Sequence, residues 1–181
     1  MLEWWRERLL FSFSPGVESL LGSGFVGDLR RKDFPEDFSD VVVDGWIMED
    51  GSALLSKFKR FYFGSRASFP GPGEYELAVN GRGIPDEDMD TNGMEGVAGL
   101  LGRGTAFAWE VLYRANLQIP DRRIVSRVSA APIMGDPGMF SGYVTFFSFD
   151  YMEDLGMSFR KNHEDWRIYI SSEECSLPLS D

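Results

Sequence analysis

The chain has 181 residues, 43% of them hydrophobic and 14% aromatic, and its 29 acids against 18 bases give a net charge of −11. That length suits one domain with its own core and excludes two comfortable ones, and the composition excludes a disordered chain. So negative a surface repels phosphate backbones and anionic lipid, which argues against nucleic-acid and membrane partners and favours a basic protein met in a salt-dependent way.

Residues 2–13 place Leu2, Trp5, Leu9 and Phe13 three or four apart, the spacing of a short amphipathic helix. Glu3, Arg6, Glu7 and Arg8 interrupt that stretch, so it reads as neither a signal peptide nor a membrane span. Ser14-Pro15 predicts a second helix start, with Val17, Leu20 and Leu21 as its apolar side and Gly22 as its stop. Residues 22–40 read as a loop. Val41 to Met48 reads as a strand, from three consecutive β-branched residues followed by Trp46 and Ile47, and Glu49-Asp50-Gly51 as the turn after it. Leu54, Leu55, Phe58, Phe61 and Tyr62 fit a helix over 53–60, although Phe58–Phe63 fits a strand as well.

Tyr75, Leu77 and Val79 alternate with Glu74, Glu76 and Ala78, as in a half-buried strand. An acidic loop, 80–92, leads into two apolar stripes that predict a helical pair over about 94–116, divided at Gly102-Arg103-Gly104. Beyond Pro120 the pattern is β: Ile124–Ala131, Ser141–Tyr151 and Trp166–Ile170. The middle one is apolar on both faces and is therefore expected at a covered position in the sheet. Residues 152–165 read as short helix or loop. The fold class that follows is α+β. It is a single domain over 1–170, with N-terminal helices, a largely antiparallel sheet and a central helical pair; residues 171–181 form a polar tail.

Catalytic signatures are few. His163 and Cys175 are the only histidine and cysteine, too few N/S ligands for a zinc site and too few groups for most nucleophilic triads. No Asn-x-Ser/Thr sequon accompanies the single thiol, which points to a reducing, cytoplasmic setting. Gly22-Ser23-Gly24-Phe25-Val26-Gly27 matches G-x-G-x-x-G. A dinucleotide site, however, needs a strand before it and a helix after it, and here a helix precedes. From Asp88 the residues run D-x-D-x-N-G, half of an EF-hand loop, but the twelfth position is Gly99 where a bidentate Glu belongs. Asp86, Asp88, Asp90 and Glu95 are the weak metal candidates this leaves. The competing reading makes Asp90, Thr91 or Asn92 a cap on the next helix. No cofactor is implied.

Charge is segregated along the chain. Bases gather at Arg30-Arg31-Lys32, Lys57-Lys59-Arg60 and Arg122-Arg123-Arg127. Residues 33–50 hold Asp33, Glu36, Asp37, Asp40, Asp44, Glu49 and Asp50 without a base, and 86–95 hold Asp86, Glu87, Asp88, Asp90 and Glu95 without one. Folded together, these stretches would make a one-sign face, with Phe34, Phe38 and Trp46 as apolar anchors for a basic partner. The expected function is therefore a non-catalytic intracellular binding protein of the immunity-protein or phage-inhibitor kind. A viral or particle subunit that self-associates through 143–149 or the Trp-rich N-terminus is the alternative. A carboxylate- or divalent-metal-dependent enzyme is the least supported class.

Overall fold

The computed structural model describes residues 11–22, 25–155 and 166–181. One long helix, α6 in chain order (Gly93–Gln118), lies on a five-stranded sheet. The sheet runs in the order β1 (Phe11–Phe13), β7 (Trp166–Ser171), β5 (Ile124–Ile133), β6 (Asp136–Ser148) and β4 (Arg82–Gly83). Every pairing in it is antiparallel. Leu100, Leu101, Phe107, Val111 and Leu112 of α6 are buried against Ile124, Val128, Val144, Phe146, Ile168 and Ile170 of the sheet. On the opposite face Val125, Phe147 and Tyr169 form a smaller cluster with Met152. Phe146 and Phe147 are both 0% exposed, so β6 is covered on each side as its doubly apolar pattern requires. The architecture is α+β.

Around this frame stand the short helices α1 (Pro15–Leu21), α2 (Phe25–Asp28), α3 (Ser39–Asp44), α4 (Ser56–Arg60) and α5 (Pro72–Val79). Beside them is a hairpin of β2 (Trp46–Glu49) and β3 (Ser52–Leu55). The start of α1 follows the sequence: Pro15 opens it, Val17 is buried, and Gly22 closes it at φ 74°, donating to Glu18 O at 3.1 Å. The β2–β3 turn likewise has positive φ at both Asp50 and Gly51, as a tight hairpin demands.

Several expected elements differ. Residues 2–10 lie outside the described residues, and 11–13, expected to finish a helix, pair with β7 as a strand. The strand expected over Val41–Met48 is split. Ser39–Asp44 is helical, burying Val41 and Val42, and Gly45 at φ 65° donates to Val41 O before β2 begins at Trp46. Burial overrides the modest cost of β-branched residues in a helix, and Gly45 is a helix stop. The helix expected over 53–60 divides into β3 and α4. The strand expected at 74–79 is α5, opened by Pro72 and burying Tyr75, Glu76 and Val79 at helical spacing. The loop expected over 22–40 contains α2 and 3-10 turns at Arg31–Asp33 and Glu36–Phe38.

The expected helical pair is one helix of 26 residues, about 39 Å long at 1.5 Å per residue. Its glycines act as contact points. A Cβ on Gly96 would collide with the Thr91 backbone, and one on Gly104 with Ile84 and Val128. The loop and β5 therefore come closer to α6 than side chains there would permit. Residues 171–181, expected as a loose tail, dock on α6 instead: Cys175 is 0% exposed, and Asn116 Nδ2 donates to the carbonyls of Ser172 and Cys175 at 2.7 and 3.0 Å.

Two polar side chains, Glu76 of α5 and its C-cap residue Asn80, join the hairpin to the main sheet. Glu76, 0% exposed, accepts from Ala53 N at 2.7 Å on β3, and from Ser148 N at 2.5 Å and Ser148 Oγ at 2.8 Å on β6. One turn on, Asn80 accepts from Leu55 N at 2.9 Å and donates to Ala53 O and Phe146 O at 2.9 and 3.2 Å. Together they supply the donors and acceptors that a strand between β3 and β6 would have supplied. Burial raises the Glu76 carboxyl above its usual range, and the Ala53 and Ser148 bonds oppose that rise.

Candidate partner-binding groove

An apolar groove of about 460 Å³ opens between the N-terminal half of α6 and the α1–α2 region. Leu21, Phe25 and Leu29 form one wall; Met89, Ala98, Gly99 and Gly102 form the other and the floor. The groove is possible because α6 carries glycine there. A Cβ on Gly99 would meet the end of Met89, and one on Gly102 would meet only Phe25, at 3.9 Å. Side chains at those two positions would fill the space.

Charged groups ring the apolar floor. Arg103 reaches from α6 to the Asp88 carboxylate through both terminal nitrogens, Nη2 to Oδ2 being 2.9 Å, and also donates to Pro85 O at 2.8 Å. That bond holds Asp88 below the usual carboxylate range and Arg103 above its own, and Asp86 and Asp37 add to the negative field at Arg103. Asp33, a lining residue, accepts from Arg30 N at 2.9 Å, and Arg30 folds its guanidinium onto Gly27 O and Leu29 O. Asp28 and Lys32 complete the lining. The lining itself holds two carboxylates (Asp28, Asp33) and two cations (Lys32, Arg103), and Asp88, paired with Arg103, adds a third carboxylate beside it. Asp37 comes from the first acidic segment and Asp86 and Asp88 from the second, so the two segments converge here.

The remaining acids of the first segment are placed differently. Asp40 pairs with Lys57 at 3.0 Å, Asp44 with Arg60 at 3.1 Å and Glu49 with Lys59 at 2.7 Å. The basic group of α4 therefore neutralises 40–49. Glu36 is exposed on its 3-10 turn. Of the three aromatics expected as anchors, Trp46 is buried in the core, and Phe34 and Phe38 are half-buried and packed against it. Phe34 and Phe38 stack on Phe107 at 6.1 and 4.3 Å, and Trp46, 7% exposed, donates from Nε1 to Val111 O at 3.0 Å. The groove's own apolar residues, and Arg103 with them, escaped the sequence reading.

Among the described residues no three His, Cys, Asp or Glu gather as a metal site. Of the candidates, Asp88 is committed to Arg103, and Asp90 accepts from both nitrogens of Asn92, at 3.0 Å from the backbone and 2.6 Å from the side chain. Those Asn92 bonds hold Asp90 below its usual range. Asn92 occupies the N-cap position of α6 without a side-chain cap bond; Glu95 is exposed in its first turn. Cys175 is 0% exposed, and burial pushes its thiol well above its ordinary value, the setting of a structural cysteine. His163 lies outside the described residues. No described helix is long and apolar enough to cross a membrane. No family model, curated protein or solved structure matches the chain.

Proposed function

We propose that this chain is a non-catalytic intracellular binding protein, of the immunity-protein or phage-inhibitor kind. Its groove takes an apolar side chain of a basic protein partner. The observation that carries this reading is the Arg103–Asp88 ion pair beside an apolar groove, with Asp86 and Asp37 adding to the negative field at Arg103. Carboxylate excess draws a cationic surface in, and burial of an apolar group then holds it. Direct tests use peptides in which one leucine is flanked by lysines, with glutamate-flanked counterparts as controls. Calorimetry should show binding of the lysine peptide alone, and Gly102→Leu, which fills the groove, should abolish it. Equal binding of both peptides, or full binding to the Gly102→Leu variant, would contradict the proposal.

A second reading, self-association, draws on the β5–β6 hairpin. Its tip exposes Ile133 (38%) and Met134 (99%), whereas the 143–149 strand once expected to mediate assembly buries Phe146 and Phe147. Sedimentation across concentrations checks it: a monomer throughout removes this reading, and dimers lost in Met134→Ser support it.

A further inference from the structure

The segment 177–181 has no regular secondary structure, yet three bonds hold its backbone. Trp109 Nε1 donates to Leu177 O at 2.8 Å, Leu179 N donates to Glu110 Oε1 at 2.8 Å, and Arg31 N donates to Ser180 O at 2.9 Å. The segment's side chains contribute little burial. Leu177 is 71% exposed, Pro178 and Ser180 are exposed, and only Leu179 is half-buried. What the slot recognises is a carbonyl, an N–H and a carbonyl in fixed order.

Glu110 gives the slot its demand for a ligand. Its side chain is 6% exposed, and besides Leu179 N its charged neighbour is Arg31, at 3.8 Å and itself 57% exposed. The segment both covers this carboxylate and supplies its hydrogen bond, so release of the segment exchanges that bond for water. The groups that fill the slot are main-chain groups that any peptide carries.

We propose that the slot formed by Arg31, Trp109 and Glu110 is a peptide-binding site, held shut in cis by residues 177–180. It takes a short segment with the same main-chain pattern and an apolar side chain at the Leu179 position. The segment's tether gives it a high effective concentration, so an outside peptide competes only once the cis segment is released. This site is separate from the groove, and neither reading depends on the other.

The test is a full chain carrying a specific protease site at Ser176, compared before and after cleavage, with labelled Ser-Leu-Pro-Leu-Ser-Asp as the probe. After cleavage and removal of the freed segment, anisotropy should report binding with a Kd of about 1 mM or tighter. The uncut chain should bind at least about tenfold more weakly. Trp109→Phe should weaken binding by about tenfold, and N-methylation of the peptide at the Leu179 position, which removes the donor to Glu110, should abolish it. The inference is overturned if the cleaved, folded protein ignores the peptide, if the N-methyl peptide binds equally, or if cleavage unfolds the chain. Hydrogen exchange on the intact protein gives an independent reading. The Leu179 amide should exchange well ahead of core amides such as Leu112, and exchange only through global unfolding would also overturn the proposal.

Discussion

Glu76 and Asp88 are both carboxylates bonded through both oxygens, and they serve opposite ends. Glu76 is sealed between α5, β3 and β6, facing donors that water cannot replace. Asp88 stands in solvent at the lip of the groove, its side chain 73% exposed, and shares Arg103 with the fields of Asp37 and Asp86. The difference teaches that burial decides an acid's role here: the sealed one joins two sheets, and the open one holds an exposed ion pair at the groove.

The sharpest way to break the comparison is Glu76→Ala. Leaving the donors of Ala53 and Ser148 buried without acceptors should cost about 3 kcal/mol or more, read as a fall in denaturation midpoint. Glu76→Gln should fall between, because an amide must turn its NH2 toward one of these donors. Gly96→Ala comes next, losing about 1–3 kcal/mol to the Thr91 backbone despite the better helix propensity of alanine. Gly102→Ala, with only Phe25 within reach, should instead gain up to about 1 kcal/mol. The smallest stability effect belongs to Asp88→Asn, which should leave Tm unchanged while slowing capture of a basic peptide.

Acid titration separates the two carboxylates by sign. The folded Glu76 carboxyl lies above its ordinary 4.5, so over that window the native state keeps a proton the unfolded chain has released. Stability relative to Glu76→Gln should therefore decrease as pH rises from about 4.5 toward the folded value, and level off above it. Asp88, below its ordinary 3.8, acts in the opposite sense: its contribution is present above that value and lost as pH falls further. A stability difference between wild type and Glu76→Gln that is flat across the acid range would contradict this account of Glu76.

Much of the fold was legible because it rests on local pattern. Ser14-Pro15 with Gly22 bounds α1, Asp50-Gly51 turns the hairpin, and the doubly apolar run at 143–149 marks a covered strand. The misreadings share a cause, since each depended on what a residue meets across the fold. Glu76 looks solvent-facing in an alternating pattern, and Asn80 looks like the start of a loop, until β3 and β6 arrive to fill their bonds. Gly104 looks like part of a break until Ile84 and Val128 pack onto it. At the groove the acids were readable as segregated charge, but their sorting was not. Nothing local says that Lys57, Lys59 and Arg60 will cover Asp40, Glu49 and Asp44 while Asp88 pairs with Arg103. Trp46 was misplaced for the same reason, since an aromatic among acids reads alike whether it faces a partner or Phe146.

The most direct measurement of the central claim is the association rate of the lysine-flanked leucine peptide, taken between about 0.05 and 0.3 M salt. Wild type and the Asp37→Asn, Asp86→Asn, Asp88→Asn triple variant should be compared side by side. The on-rate of wild type should fall about tenfold across that range, and that of the variant should start low and stay nearly flat. Equal rates and equal salt dependence in the two proteins would contradict a groove whose carboxylates recruit the partner.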